Sequence, residues 1–225
     1  MAWGSALTAG AIREALQASL GRVPVVTDRM TRRTLTGEVI PRLTRPHEGI
    51  MAREGAVMAL LYPKAGEITL ALTERTAHLG SHAGQISMPG GRIEASDATP
   101  WHAAVRETQE EIGVDLSAKS PWGTLERIYV SASRFYVTAF VAYLDERPEF
   151  RLNADEVAGL LEVPLTVLMD ETTFRVGERD DNDGRRVIEG FFQFQRHKIW
   201  GATAVLLDQL LARITVGLDL VEIRG

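Results

Sequence analysis

The sequence contains no cysteine. That excludes disulfides, thiolate metal sites and cysteine nucleophiles, and it fits a reducing cytosol. No apolar run approaches the roughly 18 residues that a membrane span needs. The opening stretch MAWGSALTAGAIREALQASL places no basic segment ahead of a long apolar run, so it does not read as a secretory signal. A cytoplasmic protein without a membrane partner is expected. Basic charge is also short: 25 Lys and Arg face 30 Asp and Glu, a formal net charge of −5. That balance gives no reason to expect nucleic acid, although it leaves room for a local basic patch. Internal repeats and low-complexity tracts are absent.

What remains is 225 residues, 45% hydrophobic and 24% charged, enough apolar mass for one ordinary domain with some decoration. Residues 8–20 read as an amphipathic helix with Ile12, Leu16 and Leu20 four apart and Gly21 beyond its end. Residues 22–54, with several prolines and five arginines between Arg29 and Arg45, read as an irregular arm that wraps the body. Residues 1–54 are therefore expected to pack on a domain spanning 55–225, and the arm's arginines could serve a homodimer contact. AVMALLY (56–62) and ITLALT (68–73) are β-rich runs joined by a longer loop, PKAGE. A helix is expected over about 99–112, and strands at 126–131, 135–144 and about 159–163, the last followed by a short helix. A hairpin pairs 172–176 with 187–195, and a final helix covers 203–215. Mostly antiparallel strands with interspersed helices give an α+β domain, a mixed sheet between helices.

The stretch RETQEE (106–111) carries the chemistry. On a helical wheel with Glu107 at zero, Glu110 falls near about 300° and Glu111 near about 40°, a shared arc about 100° wide. Trp101, Val105, Thr108 and Ile112 form an apolar stripe beside it. The helix is thus expected to turn Val105 and Ile112 inward and to hold its acids at the edge of the core. One arginine, Arg106, cannot neutralise three carboxylates, and like charges at i, i+3 and i, i+4 cost roughly 0.2–0.5 kcal/mol each. Clustered carboxylate oxygens suit hard cations such as Mg²⁺ or Mn²⁺, which commonly work with substrate phosphates. Upstream, Pro89-Gly90-Gly91 supplies a corner where backbone can approach a ligand or metal closely.

These residues resemble the Nudix box, the loop–helix–loop signature of Nudix hydrolases. Gly91 is followed by RIEAS, Asp97, eight further residues, and then Arg106-Glu107-Thr108-Gln109-Glu110-Glu111-Ile112-Gly113-Val114. Asp97 replaces a glutamate, the spacer is one residue longer, and Thr108 occupies an aliphatic position. The first two departures are similar to the coenzyme A pyrophosphatase branch. That branch's upstream motif is matched at Leu72, Thr73, Arg75, Gly84 and Pro89-Gly90-Gly91. Gly80 stands where it carries a second arginine, Met88 where it carries phenylalanine, and Thr76 at its Ser/Ala position. IWGATA (199–204) is likewise similar to the segment before that branch's last helix.

The resemblance implies a Nudix-like α/β/α sandwich that hydrolyses the diphosphate bond of coenzyme A or its derivatives, giving 3′,5′-ADP and 4′-phosphopantetheine. It also implies Mg²⁺ or Mn²⁺ held by Glu107, Glu110, Glu111 and a carbonyl near Gly91. Arg106, helped by Asp97, would orient the acids. Glu107 is the candidate base, with Glu156 the outside alternative, and Arg75, Gly90 and Gly91 would face substrate. His82 is expected as a loop residue near substrate rather than a metal ligand, because no second histidine sits at ligand spacing. Another nucleoside diphosphate derivative (ADP-ribose, NADH, a dinucleotide polyphosphate, or a nucleoside triphosphate) is the alternative substrate. A nucleotide-sensing module is disfavoured because every box acid is retained.

Overall fold

Thr8 starts the first helix, α1 (Ala9–Ser19): its Oγ1 accepts from the Ala11 N–H at 3.2 Å, and Ile12 and Leu16 are buried on one face. The structure is a computed structural model that describes residues 7–20, 28–76, 84–181 and 184–222. Along the chain follow β1 (Arg32–Thr34), β2 (Val39–Ile40), β3 (Arg53–Lys64), β4 (Glu67–Arg75), β5 (Ile86–Ser87), β6 (Gly90–Arg92), α2 (Pro100–Ile112), β7 (Gly123–Thr124) and β8 (Ile128–Val130). Then come β9 (Phe135–Tyr143), β10 (Val157–Pro164), α3 (Leu165–Met169), β11 (Phe174–Asp180), β12 (Arg186–Phe194), β13 (His197–Ile199) and α4 (Gly201–Glu222).

Among the described residues the strands form two sheets rather than one. The larger runs β10-β4-β3-β9-β7, with β5, β6 and β8 on β4, β3 and β9. It is mixed: β3 and β9 pair in parallel while the other pairs are antiparallel. Both faces of β3 are covered, which explains its continuous apolar run. Ala56, Met58, Leu60 and Tyr62 point to one side, where they meet Ala103, Ala104 and Ile112 of α2. Ala59 and Leu61 point to the other, toward Leu207, Leu210 and Ile214 of α4 and Ile12 and Leu16 of α1. The expected sheet between helices is therefore present, as an α+β layered domain. Helices α1 and α4 approach so closely that a Cβ on Gly217 would lie 2.0 Å from the carbonyl oxygen of Ala15.

Two local expectations need correction. The β3–β4 connection is a two-residue turn, with φ of 51° at Ala65 and 84° at Gly66, so Pro63, Lys64 and Glu67 belong to strands. Positive φ at both central residues matches the right-handed twist of a hairpin. The arm is not irregular throughout: β1 pairs with β2 and with β12 in the smaller sheet, β11-β12-β1-β2, which β13 joins through β12. No described helix is long and apolar enough to cross a membrane.

Candidate active site

Helix α2 begins and ends by local chemistry. Thr99 caps it, accepting from the His102 N–H, and Pro100 occupies the first turn. Gly113, with φ of 73°, terminates it and donates to the carbonyl of Gln109. The buried residues are Ala103, Ala104, Thr108, Glu111 and Ile112, whereas Trp101 and Val105 are only half-buried. Ile112 is inward as expected, and Trp101 and Val105 pack partly against the same core, but the buried arc extends further and takes in Glu111. Small side chains at 103 and 104 let α2 settle on β3 and β6, and this brings its acids under the Gly90–Gly91 corner. Thr108 satisfies its hydroxyl internally, donating to the Ala104 carbonyl at 2.6 Å, which lets a polar residue occupy an aliphatic position.

The three glutamates lie at graded depths. The Glu111 side chain is 4% exposed, Glu107 15% and Glu110 53%. Glu111 accepts from the Gly90 N–H at 3.3 Å and lies 3.9 Å from Nη1 of Arg75. Burial pushes its pKa up to about 8 against the opposing pull of Arg75 and Gly90, and the charges of Glu107 and Glu156 push the same way. Burial also raises Glu107, with Arg106 opposing and Glu110 and Glu156 adding. A Cβ on Gly91 would stand 2.5 Å from the Glu107 carboxyl. Glycine at 91 is therefore what allows Glu107 to lie against the backbone.

Arg106 ties this arrangement to the preceding loop. Its Nε and Nη2 donate to the two oxygens of Asp97, both at 3.0 Å. Nη1 donates to Glu107 at 2.9 Å and Glu110 at 3.0 Å, and Nη2 also reaches the Arg92 carbonyl at 3.0 Å. The hydrogen bonds from Arg106 hold Asp97 below the usual carboxylate range. Among the described residues no three His, Cys, Asp or Glu side chains converge on one metal-binding point. Arg106 draws Glu107 and Glu110 to itself while Glu111 turns to Gly90. The donor set still suits a hard divalent cation: it offers oxygen donors only, and burial opposes ionisation of Glu107 and Glu111 unless positive charge is added.

The Gly90–Gly91 corner and Arg75, which contact the acids, border a cavity of about 960 Å³ that Met88 and Thr203 also line. Met88, at the phenylalanine position, is 3% exposed and belongs to the core. The structure brings Arg75, Gly90, Gly91, Arg106, Glu107, Glu110 and Glu111 together, and the charge of Glu156 reaches the cluster. Thr76 fixes the Glu156 segment, its N–H donating to the Glu156 carbonyl and its Oγ1 to that of Asp155, each at 3.0 Å. Gly80 and His82 lie outside the described residues. Sequence reasoning missed the Arg92 carbonyl, which no side-chain motif reveals, and most of the cavity wall, which comes from distant segments.

A layered α+β domain with a glycine corner over an acidic helix is the arrangement of a Nudix fold, and the NUDIX domain signature matches residues 52–180. The chain belongs to the Nudix family and is a hydrolase acting on phosphorus-containing anhydrides. It is 33% identical over 189 residues to the "Uncharacterized Nudix hydrolase NudL" of Yersinia enterocolitica, covering 82% of this chain and 95% of that one. The protein of the same name from Salmonella paratyphi B is 32% identical over 180 residues, covering 78% and 89%. The solved structure of DR0079 from Deinococcus radiodurans overlaps 80% of this chain and 98% of its own, at a TM-score of 0.48 and 13% identity.

Proposed function

We propose that this chain hydrolyses the diphosphate bond of coenzyme A or its derivatives, releasing 3′,5′-ADP and 4′-phosphopantetheine or its acyl form, in the cytoplasm. The observation that carries the reading is Glu107 lying against Gly91 and Glu111 against the Gly90 N–H, two glycines that border a cavity of about 960 Å³. Ligand cavities usually hold about 300–1,000 Å³, so this one suits a large nucleotide derivative. The coenzyme A branch is supported by Thr73, Arg75, Gly84 and Pro89-Gly90-Gly91 at the motif spacing.

Glu107, Glu110 and Glu111, with the Gly91 carbonyl, would hold Mg²⁺ or Mn²⁺. Such a cation supplies Lewis acidity toward the diphosphate and a more acidic bound water. Arg106 orients the acids by holding Glu107 and Glu110 on one guanidinium nitrogen and anchoring the helix to Asp97. Arg75 lines the cavity beside Glu111 and offers a guanidinium fork to a substrate phosphate. Oε1 of Glu107 is engaged by Arg106, which leaves Oε2 to take the proton of the attacking water. A raised pKa brings that oxygen closer to the range of an effective base. Glu156, whose charge reaches Glu107 and Glu111, is the second candidate to accept it.

Gly80, where the branch motif carries arginine, favours a second reading, a different nucleoside diphosphate derivative. A substrate panel with Mg²⁺ and Mn²⁺, products resolved by chromatography, decides between them. Coenzyme A is expected to exceed ADP-ribose, NADH and a dinucleotide polyphosphate by about tenfold or more in kcat/KM. A preference for ADP-ribose or another of these compounds would overturn the coenzyme A assignment.

A further inference from the structure

In a chain of net charge −5, the cavity wall carries six arginines, Arg32, Arg42, Arg75, Arg92, Arg127 and Arg179, and among its described residues no Asp or Glu. Arg75 and Arg92 belong to the end beside Gly90–Gly91. Arg32 and Arg42 come from the arm, ahead of the segment 52–180 that carries the family signature, and Arg179 comes from β11. These three are drawn together by β1 pairing with β12 beside β11.

Among the described residues their charges are not balanced locally. Buried Glu189 accepts from Nε and Nη2 of Arg179 and lies 3.6 Å from Nε of Arg32. Asp181 accepts from Nη2 of Arg32 at 3.3 Å. Three guanidiniums thus face two carboxylates among the described residues. Among the described residues Arg42 hydrogen-bonds only a neutral group, donating from Nε and Nη2 to the Met30 carbonyl at 3.3 and 3.1 Å. That leaves three of its five N–H donors without a protein partner among the described residues. Arg42 is exposed and lines the cavity. The dense protein around its head group lowers its pKa; Glu189 opposes this, and the charges of Arg32 and Arg179 add to it. The guanidinium of Arg179 lies 4.5 Å over the ring of Trp200, which also lines the cavity.

We propose that Arg32, Arg42 and Arg179 form an anion subsite that recognises a phosphate monoester carried by the substrate away from its diphosphate bond. The inference deepens the function proposed above and rests on it. Arg32 and Arg179 are braced by Glu189, while Arg42 contributes the uncommitted donors. The subsite makes the arm part of substrate discrimination, favouring a nucleotide derivative with an added phosphate over its dephosphorylated counterpart.

The test measures binding by calorimetry, which needs no turnover. The full chain is titrated with 3′,5′-ADP and with AMP, which share the adenosine 5′-phosphate and differ by one phosphate monoester. Wild type is expected to bind 3′,5′-ADP at least about tenfold tighter. Arg42→Gln should reduce that ratio below about threefold while AMP affinity holds, and Arg42→Lys, which keeps the charge but loses the fork, should fall between. Equal affinities in wild type would overturn the proposal. So would an equal loss of both affinities in a folded Arg42→Gln protein, because the arginine would then serve the common 5′-phosphate. A chain that hydrolyses ADP-ribose but not coenzyme A would defeat only the coenzyme A assignment, and the binding ratio would still decide the subsite.

Discussion

Glu111→Gln is expected to fold, to gain stability at alkaline pH, and to lose kcat by roughly 10³-fold or more. The two halves of this result have one cause. Glu111 is raised by burial from 4.5 to about 8. Between those values the folded chain keeps a proton that the unfolded chain releases. The stability linked to that proton is full below about 4.5 and is lost as pH rises through about 8. Glutamine is neutral throughout, so the variant should match wild type near pH 5 and exceed it at pH 9 by roughly 1–3 kcal/mol. Urea unfolding in the presence of a chelator reads the stability, and single-turnover kinetics reads the chemistry. A variant with full activity would remove Glu111 from the proposed metal site.

Arg106→Ala should lose in both respects. Asp97 has a side chain only 5% exposed and would lose the two guanidinium bonds that compensate its burial. The Arg92 carbonyl and two glutamates would lose a donor as well. Removing one partner of such a network costs roughly 2–4 kcal/mol. The freed loop and acids should also lower kcat by about 10²-fold. Arg106→Lys preserves charge without the planar fork, so it should recover part of the stability and little of the activity. Thermal unfolding and steady-state kinetics on the same preparations check the ordering. An alanine variant as active as wild type would show that Arg106 does not position the acids.

The sequence was most legible where spacing and chemistry coincide. The acids at 107, 110 and 111 and the expected span of about 99–112 outlined α2 closely. The wheel placed Ile112 inward but not Glu111, because it ignored how closely Ala103 and Ala104 allow a helix to approach a sheet. A buried glutamate beneath two glycines contradicts hydrophobic patterning, and local rules fail in this way where a site imposes its own demands. The arm strands were invisible for a different reason. Segments of two or three residues carry no period, and their pairing with β12 is decided by contacts about 150 residues away in sequence. The cationic cavity wall is hidden in the same way: Arg32, Arg42 and Arg179 become neighbours only after β1 joins the second sheet.

The central claim is that a divalent cation binds against the acids of α2 beside the Gly90–Gly91 corner. Crystals of the chain grown with Mn²⁺ and 3′,5′-ADP, measured for anomalous scattering, test it most directly. A peak is expected about 2.0–2.3 Å from a carboxylate oxygen of Glu111, with Glu107 or Glu110 turned toward it. Crystals that hold the nucleotide but show no peak beside α2, or show the ion bound elsewhere, would contradict it.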